Sequence, residues 1–300
     1  MIPIFPEFKK LEFSDKDQIK SYSKGIKPYS DFNFTNLWSW NTLETREVSL
    51  LNDNLVVFFS DYKTNEMFLS FLGEKNINET AYTLLTSEKA CQKKLKLIPE
   101  EIALSLDPKT FFIEEDEPNH DYVYSVETIY NLSGHQFKSK RHSIQKFISL
   151  HPSAEFSFID SFSNLDLNEF YELMETWSKN KQDAGKEHQI VLETLALNRL
   201  LRSIAEHNLI ISVLRNNGKL IGFGIDEILE DNKAISHFIK ADTKHPGIYE
   251  FLNSKIAELL LTQNVQYWNW EQNLGIEGLR QIKESYKPVQ LFKKYKVSLK

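Results

Sequence analysis

The feature that most constrains the fold is a run of three apolar segments at residues 209–241, LIISVLRNNGKLIGFGIDEILEDNKAISHFIKA. Each segment has the length and apolar content of a buried strand. Asn216, Asn217 and Gly218 separate the first two segments, and these residue types readily adopt the positive φ angles of a tight hairpin turn. The run therefore predicts three strands, the first two of which form a hairpin.

The segments around this run complete a regular order. The predicted elements are a helix that ends before Pro152, a strand at 154–162, helices near 166–181 and 190–207, the three strands, a helix at 247–261, a strand at 265–270, a helix at 276–286 and a strand at 289–297. This order is the layout of an acetyltransferase-like (GNAT) domain. The first half has its own hairpin, helix and strands, which we interpret as a second copy. We predict an α+β fold of two tandem acetyltransferase-like domains, residues 1–130 and 131–300, with mixed, mainly antiparallel sheets.

Composition places the chain among packed globular proteins. Its 300 residues are 41% hydrophobic, and Cys91 is the single cysteine, so the sequence predicts neither an intramolecular disulfide framework nor a zinc site built mainly from thiolates. The N-terminus lacks the order of charges and apolar residues of a signal peptide, and no apolar run reaches the ~18 residues needed to span a bilayer. We expect a soluble, cytoplasmic protein without a transmembrane segment.

The charge is unevenly distributed along the chain. The net charge is −6, which argues against nonspecific binding to DNA. Two segments are nevertheless basic: residues 135–146 have four cations and no acidic residue, and residues 283–300 have six lysines and one glutamate. These segments either bind one anionic ligand together or form two separate solvated surfaces.

Ready-made catalytic motifs are absent from the sequence. There is no Gly-x-Ser-x-Gly elbow, no Walker loop and no His-Glu-x-x-His pair, and the histidines lack metal-ligand spacing. We therefore predict no metal site.

One junction has features of a phosphate site. In the segment HFIKADTKHPGIYEFL, a predicted strand ends at Ala241, Lys244 and His245 follow, and Gly247 precedes a helix. Free amides at a helix start bind phosphate oxygens well. In GNAT folds this junction holds the pyrophosphate of coenzyme A, usually with several glycines, whereas Gly247 is alone here. An ordinary helix start is the alternative.

Polar residues concentrate near the C-terminus. The predicted strand YWNWEQN points Asn269 and Glu271 to the same face, and the helix that follows has Arg280, Lys283 and Lys287 at i, i+3 and i+7, which predicts one basic stripe. A carboxylate at a strand end is suited to bind an ammonium group or take its proton, and nearby cations are suited to bind phosphate or an oxyanion. The alternative is a salt bridge from Glu271 to Arg280 or Lys283 that fixes the terminal helix.

Four segments resemble one known family in the family's order. They are PYSDFNFTNLWSW, LSGHQFKSKRHSIQKF, SHFIKADTKHPGIYEFLN and NWEQNLGIEGLRQIKESYKPVQLFKKY, which together span nearly the whole chain. The chain resembles the soluble C-terminal domain of phosphatidylglycerol lysyltransferase, formerly a domain of unknown function. The last segment is the most specific, because it has the long pattern Gly-x-x-Gly-Leu-Arg-x-x-Lys-x-Ser-Tyr-x-Pro.

This resemblance implies a relative of the Fem-type peptidyltransferases, which move an aminoacyl group from a charged tRNA to an acceptor. It implies that Arg280, Lys283 and Tyr286 line the pocket for the acceptor or the tRNA end. Lys240 and Gly247 would belong to the phosphate-bearing side of that site.

The resemblance also implies that Arg141 and the lysines around it contact the tRNA backbone. Since lipid lysyltransferases also have a membrane domain, we expect a chain of this length to modify another acceptor.

The sequence departs from the family pattern at three positions. Ile239 stands where the family usually has Glu, and Trp270 and Asn273 replace the Arg and Asp of an Asn-Arg-Glu-x-Asp run. The presumed pocket thus lacks two carboxylates and an arginine of its relatives.

We predict an acyl or aminoacyl transferase with an amine or hydroxyl acceptor, which is a small molecule, a peptide or a lipid headgroup. Glu271 is the expected acid/base or ammonium anchor, and Tyr286 is a proton donor to the leaving group. One alternative is an N-acetyltransferase with acetyl-CoA as donor. The other is a non-catalytic module that binds an anionic ligand, which the missing carboxylates favour.

Overall fold

The computed structural model describes residues 1–61, 64, 66–90, 93–159, 166–182 and 187–300. Cys91 and the last residues of the strand predicted at 154–162 lie outside these ranges. The α-helices are α1 Lys16–Ser23, α2 Phe34–Ser39, α3 Ile77–Thr86, α4 Glu100–Leu104, α5 Val126–Asn131, α6 Lys138–Leu150, α7 Leu167–Gln182, α8 Glu187–Arg202, α9 Ile248–Thr262 and α10 Glu277–Ser285. Among the helices in these ranges, none has both the length and the apolar content needed to cross a membrane.

The β-strands in the same ranges form two seven-stranded sheets. Their bounds are β1 Lys9–Lys10, β2 Glu47–Leu51, β3 Asn54–Ser60, β4 Met67–Leu72, β5 Lys94–Pro99, β6 Phe111–Glu115, β7 Asp121–Ser125, β8 Ala154–Ile159, β9 Leu209–Asn216, β10 Lys219–Leu229, β11 Lys233–Ala241, β12 Tyr267–Asn269, β13 Gln290–Phe292 and β14 Lys294–Leu299.

The chain forms two compact units that alternate along the sequence. The first unit contains residues 1–121, 272–280 and 291–300, and the second contains residues 122–271 and 281–290. The division into domains at residue 130 stays a prediction.

The sheet of the first unit has the strand order β1-β2-β3-β4-β5-β14-β6. Strands β4 and β5 are parallel, and the other paired neighbours are antiparallel. Asn52 and Asp53, both with positive φ, form the turn of the predicted hairpin between β2 and β3. Apolar side chains of α3, α4 and this sheet form one core, to which β14 contributes Tyr295 and Val297.

A buried ion cluster lies in the same unit, and we call it the Lys294 cluster. The Lys294 ammonium, which is fully buried, is 2.6 Å from Asp121 Oδ1 and forms an ion pair with Asp31. Gln272 Nε2 donates to Asp31 Oδ1 at 2.6 Å, and Ser30 donates to both oxygens of Asp121. Burial opposes the charge of the ammonium, but the two carboxylates outweigh burial and raise the pKa of Lys294.

The sheet of the second unit has the order β13-β7-β12-β11-β10-β9-β8. Strands β9, β10 and β11 are the predicted three-stranded run, with positive φ at Asn217 and Gly218 in the first turn. Strands β11 and β12 pair in parallel. Helix α9 packs on this sheet and against α5 and α6, and it buries Leu252, Ile256 and Leu260. Two mixed, mainly antiparallel sheets confirm the predicted α+β class.

The strand predicted at 289–297 was wrong as a single element. Residues 290–292 form β13 at the edge of the second sheet, whereas β14 begins at Lys294 inside the first sheet. The lysines of this segment gave it the pattern of an exposed basic strand, but Lys294 is a buried ion-pair partner. The sequence pattern did not distinguish the two environments.

Candidate functional site

The candidate site lies in the second unit, where two parallel strands end at different points. Strands β11 and β12 pair only through Lys233–Tyr267, Ala234–Trp268 and Ile235–Asn269. Strand β11 then continues to Ala241, while β12 ends at Asn269. The carboxyl ends of parallel strands are a common place for ligands in α/β sheets.

The backbone after β12 is held in an uncommon conformation. Glu271 has a φ of 60°, which a residue with a side chain adopts at a cost of about 1–3 kcal/mol. Asn269 Oδ1 accepts a hydrogen bond of 2.7 Å from the amide of Glu271. The Lys283 ammonium donates to the carbonyl of Trp270 and, at 3.0 Å, to that of Glu271. Asn269 and Lys283 therefore hold the turn that sets the direction of the Glu271 side chain.

The Glu271 carboxylate points at a buried histidine. Glu271 Oε1 lies 3.6 Å from His237 Nδ1, and Glu227 Oε2 lies 3.2 Å from His237 Nε2. The side chain of His237 is completely buried and that of Glu227 nearly so, whereas 17% of the Glu271 side chain is exposed. We call these three residues the His237 cluster; Glu271 is its most accessible member.

The two carboxylates keep the histidine charged. Burial alone would lower the pKa of His237, but the hydrogen bond with Glu227 and the negative charges of Glu227 and Glu271 outweigh burial and raise the pKa to about 9. With one imidazolium and two carboxylates, the cluster has a formal charge of −1. It is therefore suited to attract a monovalent cation at its exposed end.

Asp226 is a further buried carboxyl beside the cluster. It precedes Glu227 on β10, so its side chain points to the opposite face of the sheet. Trp268 Nε1 donates to Asp226 Oδ1 at 2.9 Å. Burial raises the pKa of Asp226 to about 7, although Trp268 and the charge of His237 act in the opposite direction. This carboxyl titrates near neutral pH.

Aromatic rings pack around the turn. The Trp270 ring lies 4.3 Å from that of Tyr124 and 4.9 Å from that of Tyr286, centre to centre. Tyr286 is 2% exposed, its hydroxyl accepts from Asn253 Nδ2 at 3.4 Å, and burial raises its pKa. The structure thus places the predicted proton donor Tyr286 in the core, where it supports Trp270.

Two predicted cations form ion pairs with residues other than Glu271. Arg280 belongs to the first unit, where its half-exposed guanidinium donates to Glu277 at 2.7 Å. Lys240, on β11, forms an ion pair with Glu193 and lies 4.5 Å from the centre of the Trp177 ring. Each of these cations is therefore paired with a carboxylate of the protein itself.

Gly247 has a packing role. It precedes α9 with a φ of 83°, and a Cβ atom there would lie well inside van der Waals contact with the carbonyl of Ser143 on α6. His245 Nδ1, two residues earlier, lies 3.1 Å from His151 Nε2. The close approach of α6 therefore explains why residue 247 is a glycine. The loop before α9 also contacts His151 of the same unit through His245.

Arg141 closes the end of α5. Its Nη1 donates to the carbonyl of Leu132 and, at 2.8 Å, to that of Gly134. The residue remains exposed on α6.

The predicted residues are thus only partly brought together. Asn269 and Lys283 both bind the backbone of Glu271, and Tyr286 packs against Trp270. The prediction of one basic stripe was wrong, because Lys283 is 7% exposed and its ammonium binds carbonyls, and Lys287 lies beyond the end of α10.

Sequence reasoning missed Glu227 and His237. The available signal was a charged or polar residue inside an apolar strand, in GIDEIL and AISHFIK. Buried polar groups of this kind need partners, which the sequence does not identify.

Solved structures share the fold of this chain. A conserved protein of unknown function from Bacteroides thetaiotaomicron is 28% identical, with both chains fully covered and a TM-score of 0.84. L-PGS from Bacillus licheniformis aligns over 99% of this chain and 93% of its own, at 14% identity and a TM-score of 0.63. FemX aligns over 97% of this chain and 96% of its own, at 10% identity and a TM-score of 0.55. These similarities confirm the predicted tandem acetyltransferase-like fold.

The family follows from the sequence. The model of the family described as phosphatidylglycerol lysyltransferase, C-terminal, matches residues 24–298, and the chain belongs to this family. A search of curated proteins finds no sequence match. Family and fold together place the chain among the acyltransferases.

Proposed function

We propose that the protein transfers an aminoacyl group from a charged tRNA to an amine or hydroxyl acceptor, and that Glu271 binds the ammonium of that group. The observation that carries this proposal is the Glu271 carboxylate, which is partly exposed at the end of β12 on a strained, braced turn. Strained backbone at a strand end is more typical of a functional site than of a core ion pair.

The charge of the His237 cluster supports the same ligand. Its net charge of −1 is complementary to the single ammonium of an aminoacyl ester, and the neighbouring residue Trp270 has a partly exposed aromatic ring. An acetyl group has no such charge. The site therefore favours an aminoacyl donor over acetyl-CoA.

The reaction needs one bond made and one broken. The acceptor nitrogen or oxygen attacks the ester carbonyl, the bond from that carbonyl to the ribose oxygen breaks, and the acceptor proton ends on the ribose hydroxyl. By holding the ammonium, Glu271 would orient the ester for this attack, which is the contribution of positioning to catalysis.

A cationic helix face supports an RNA donor. Lys138, Arg141, His142 and Lys146 are all exposed and follow the i, i+3, i+4, i+8 spacing of one face of α6. No acidic residue occurs from 132 to 154, in a chain of net charge −6. This face is suited to contact a phosphate backbone, with an affinity that falls as salt rises.

The acetyl-CoA alternative lacks a supporting observation. Its predicted pyrophosphate loop contains Gly247, whose conformation is explained by the approach of Ser143. The non-catalytic alternative becomes an outcome of the experiment below.

The decisive experiment measures transfer of a radiolabelled amino acid from charged tRNA to acceptors in three forms: phosphatidylglycerol vesicles, a peptide amine and a small amine. We expect transfer by the wild-type protein and at least a 100-fold loss in Glu271→Gln. Glu258→Gln is the matched control, because this half-exposed carboxylate pairs with Lys255 on α9. Binding of charged tRNA without transfer to any acceptor would instead establish the non-catalytic module.

A second experiment tests the RNA surface. The double variant Lys138→Glu, Lys146→Glu should bind tRNA at least 10-fold more weakly and with a smaller salt dependence, because two phosphate contacts are lost. Lys179→Glu on α7, where Lys179 is also exposed, is the control. Equal binding by both variants would remove α6 from the proposal.

A further inference from the structure

His237 owes its position to an irregularity in the sheet. Between β10 and β11, Ile225 pairs with Phe238 and Asp226 pairs with Ser236, so the register shifts and His237 is the extra residue of a β-bulge. Such bulges re-aim a side chain and are frequent beside active sites. The bulge places the His237 ring where carboxylates approach it from two sides.

Each ring nitrogen of His237 faces a different carboxylate. Nε2 is 3.2 Å from Glu227, and Nδ1 is 3.6 Å from Glu271. A neutral imidazole can donate from only one nitrogen, whereas the imidazolium donates from both. The charge of His237 also acts on Asp226, which precedes Glu227 on β10. The arrangement is thus complete only with a doubly protonated ring.

Burial separates the roles of the three residues. His237 and Glu227 are inaccessible to a ligand, so neither can touch a substrate in this structure. Glu271 is the member within reach of one. His237 can therefore influence a reaction only by acting through Glu271.

A purely structural ion pair does not explain the whole arrangement. A buried pair in a core requires neither the bulge at His237 nor the left-handed backbone at Glu271, and an apolar core of the same volume is often at least as stable. Both irregularities direct side chains to one point. Asn269 and Lys283 brace the same turn.

We propose that His237 is a positioning residue, which fixes the Glu271 carboxylate for its cationic ligand. In this arrangement Glu227 is the counter-charge that keeps the imidazolium in place when the ligand binds Glu271. The inference rests on the proposed function of Glu271. When a cation binds Glu271, it weakens that carboxylate's hold on the imidazolium. Glu227 then remains as the carboxylate that pairs with His237.

The first test is a titration of the histidine ring by nuclear magnetic resonance. With ring-15N histidine, both nitrogens of His237 should carry protons at pH 8 in the wild-type protein. Glu227→Gln and Glu271→Gln should each lower the titration midpoint of His237 by about one pH unit or more. A neutral ring at pH 8 in the wild-type protein would overturn the proposal.

The second test is the kinetics of aminoacyl transfer. His237→Gln should reduce kcat/KM by about 10-fold to 100-fold, the size expected for a misplaced binding group. Glu227→Gln should move the alkaline limb of the pH profile of kcat/KM to lower pH, an effect that a merely structural role would not produce. If His237→Gln fails to fold, Glu227→Gln still decides the question.

The control is a second buried histidine of the same unit. His207 is 4% exposed, and its Nε2 lies 3.2 Å from Ser203 Oγ. His207→Gln should leave kcat/KM within about 2-fold, since it lies outside the site. Full activity of both His237→Gln and Glu227→Gln would overturn this inference alone, whereas a wild-type protein without any transfer would overturn the proposed function.

Discussion

The two units each bury one cation between two carboxylates, but they do so differently. In the Lys294 cluster the cation is an ammonium that stays charged at physiological pH, and Asp121 lies 2.6 Å from it. In the His237 cluster the cation is a titratable ring, and the carboxylates lie at 3.2 and 3.6 Å. Only the second cluster has a member, Glu271, on left-handed backbone.

The difference teaches how to tell a structural ion cluster from a functional one. Each cluster has one cation and two carboxylates and thus a formal charge of −1, so net charge does not distinguish the two clusters. A short contact to a permanently charged group stabilises one arrangement. A longer contact to a ring that can lose its proton, combined with backbone strain, leaves a carboxylate able to exchange partners.

The largest effect should come from removing the permanent cation. Lys294→Met leaves Asp31 and Asp121 buried without their counter-charge, which we expect to cost about 3–5 kcal/mol of unfolding free energy. Urea unfolding at pH 7 measures this loss. A cost below that of an ordinary surface substitution would show that the Lys294 cluster does not stabilise the first unit.

The second largest effect is expected in the pH dependence of the unfolding free energy, which should distinguish the His237 cluster from the Lys294 cluster. Because the folded pKa of His237, about 9, exceeds its ordinary value of 6.5, its contribution is complete below pH 6.5 and is lost as pH rises through 9. Wild-type unfolding free energy should therefore fall by about 2–3 kcal/mol between pH 7 and pH 9.5 from this group. His237→Gln should lack this fall. Persistence of the full fall in the variant would assign it to another group.

Asp226 should give a smaller effect in a lower pH window. Its folded pKa of about 7 lies above the ordinary 3.8, so stability is lost as pH rises from 4 to 7. Asp226→Asn retains an acceptor for Trp268 but does not titrate. Relative to wild type, the variant should gain about 2 kcal/mol between pH 5 and pH 8. Parallel stability curves would contradict this origin of the pH dependence.

The smallest effect on the unfolding free energy is expected from an exposed ion pair, which serves as a reference for the two buried clusters. Arg280 and Glu277 form an exposed pair three residues apart on α10. Arg280→Ala should change the unfolding free energy by about 0.5 kcal/mol or less, since exposed pairs contribute little. Thermal unfolding at low and high salt measures it. A larger loss would mean that Arg280 has a structural role beyond this pair.

Local pattern was sufficient to predict most of the second unit. The hairpin at Asn217-Gly218 and helix α9 follow from turn chemistry and apolar spacing, which depend only on neighbours in sequence. The bulge at His237 and the positive φ at Glu271 depend on contacts with residues distant in sequence, such as Lys283. No local pattern contains that information.

The environment of the lysines in the basic C-terminal segment also could not be predicted from local sequence. Its lysines predicted a cationic surface, but Lys283 and Lys294 are buried and bind a carbonyl pair and two carboxylates. A count of charges gives their number and not their environment. The sequence therefore located Glu271 and the polar turn, while the partners of Glu271 required the structure.

The order of the strands also constrains when the protein can fold during synthesis. Strand β14 lies between β5 and β6, although β5 and β6 are adjacent in the chain and β14 leaves the ribosome after the whole second unit. Until then, the edges of β5 and β6 that face β14 have no partner, and such edges promote misassociation. The nascent first unit thus depends on a strand that is translated after the second unit.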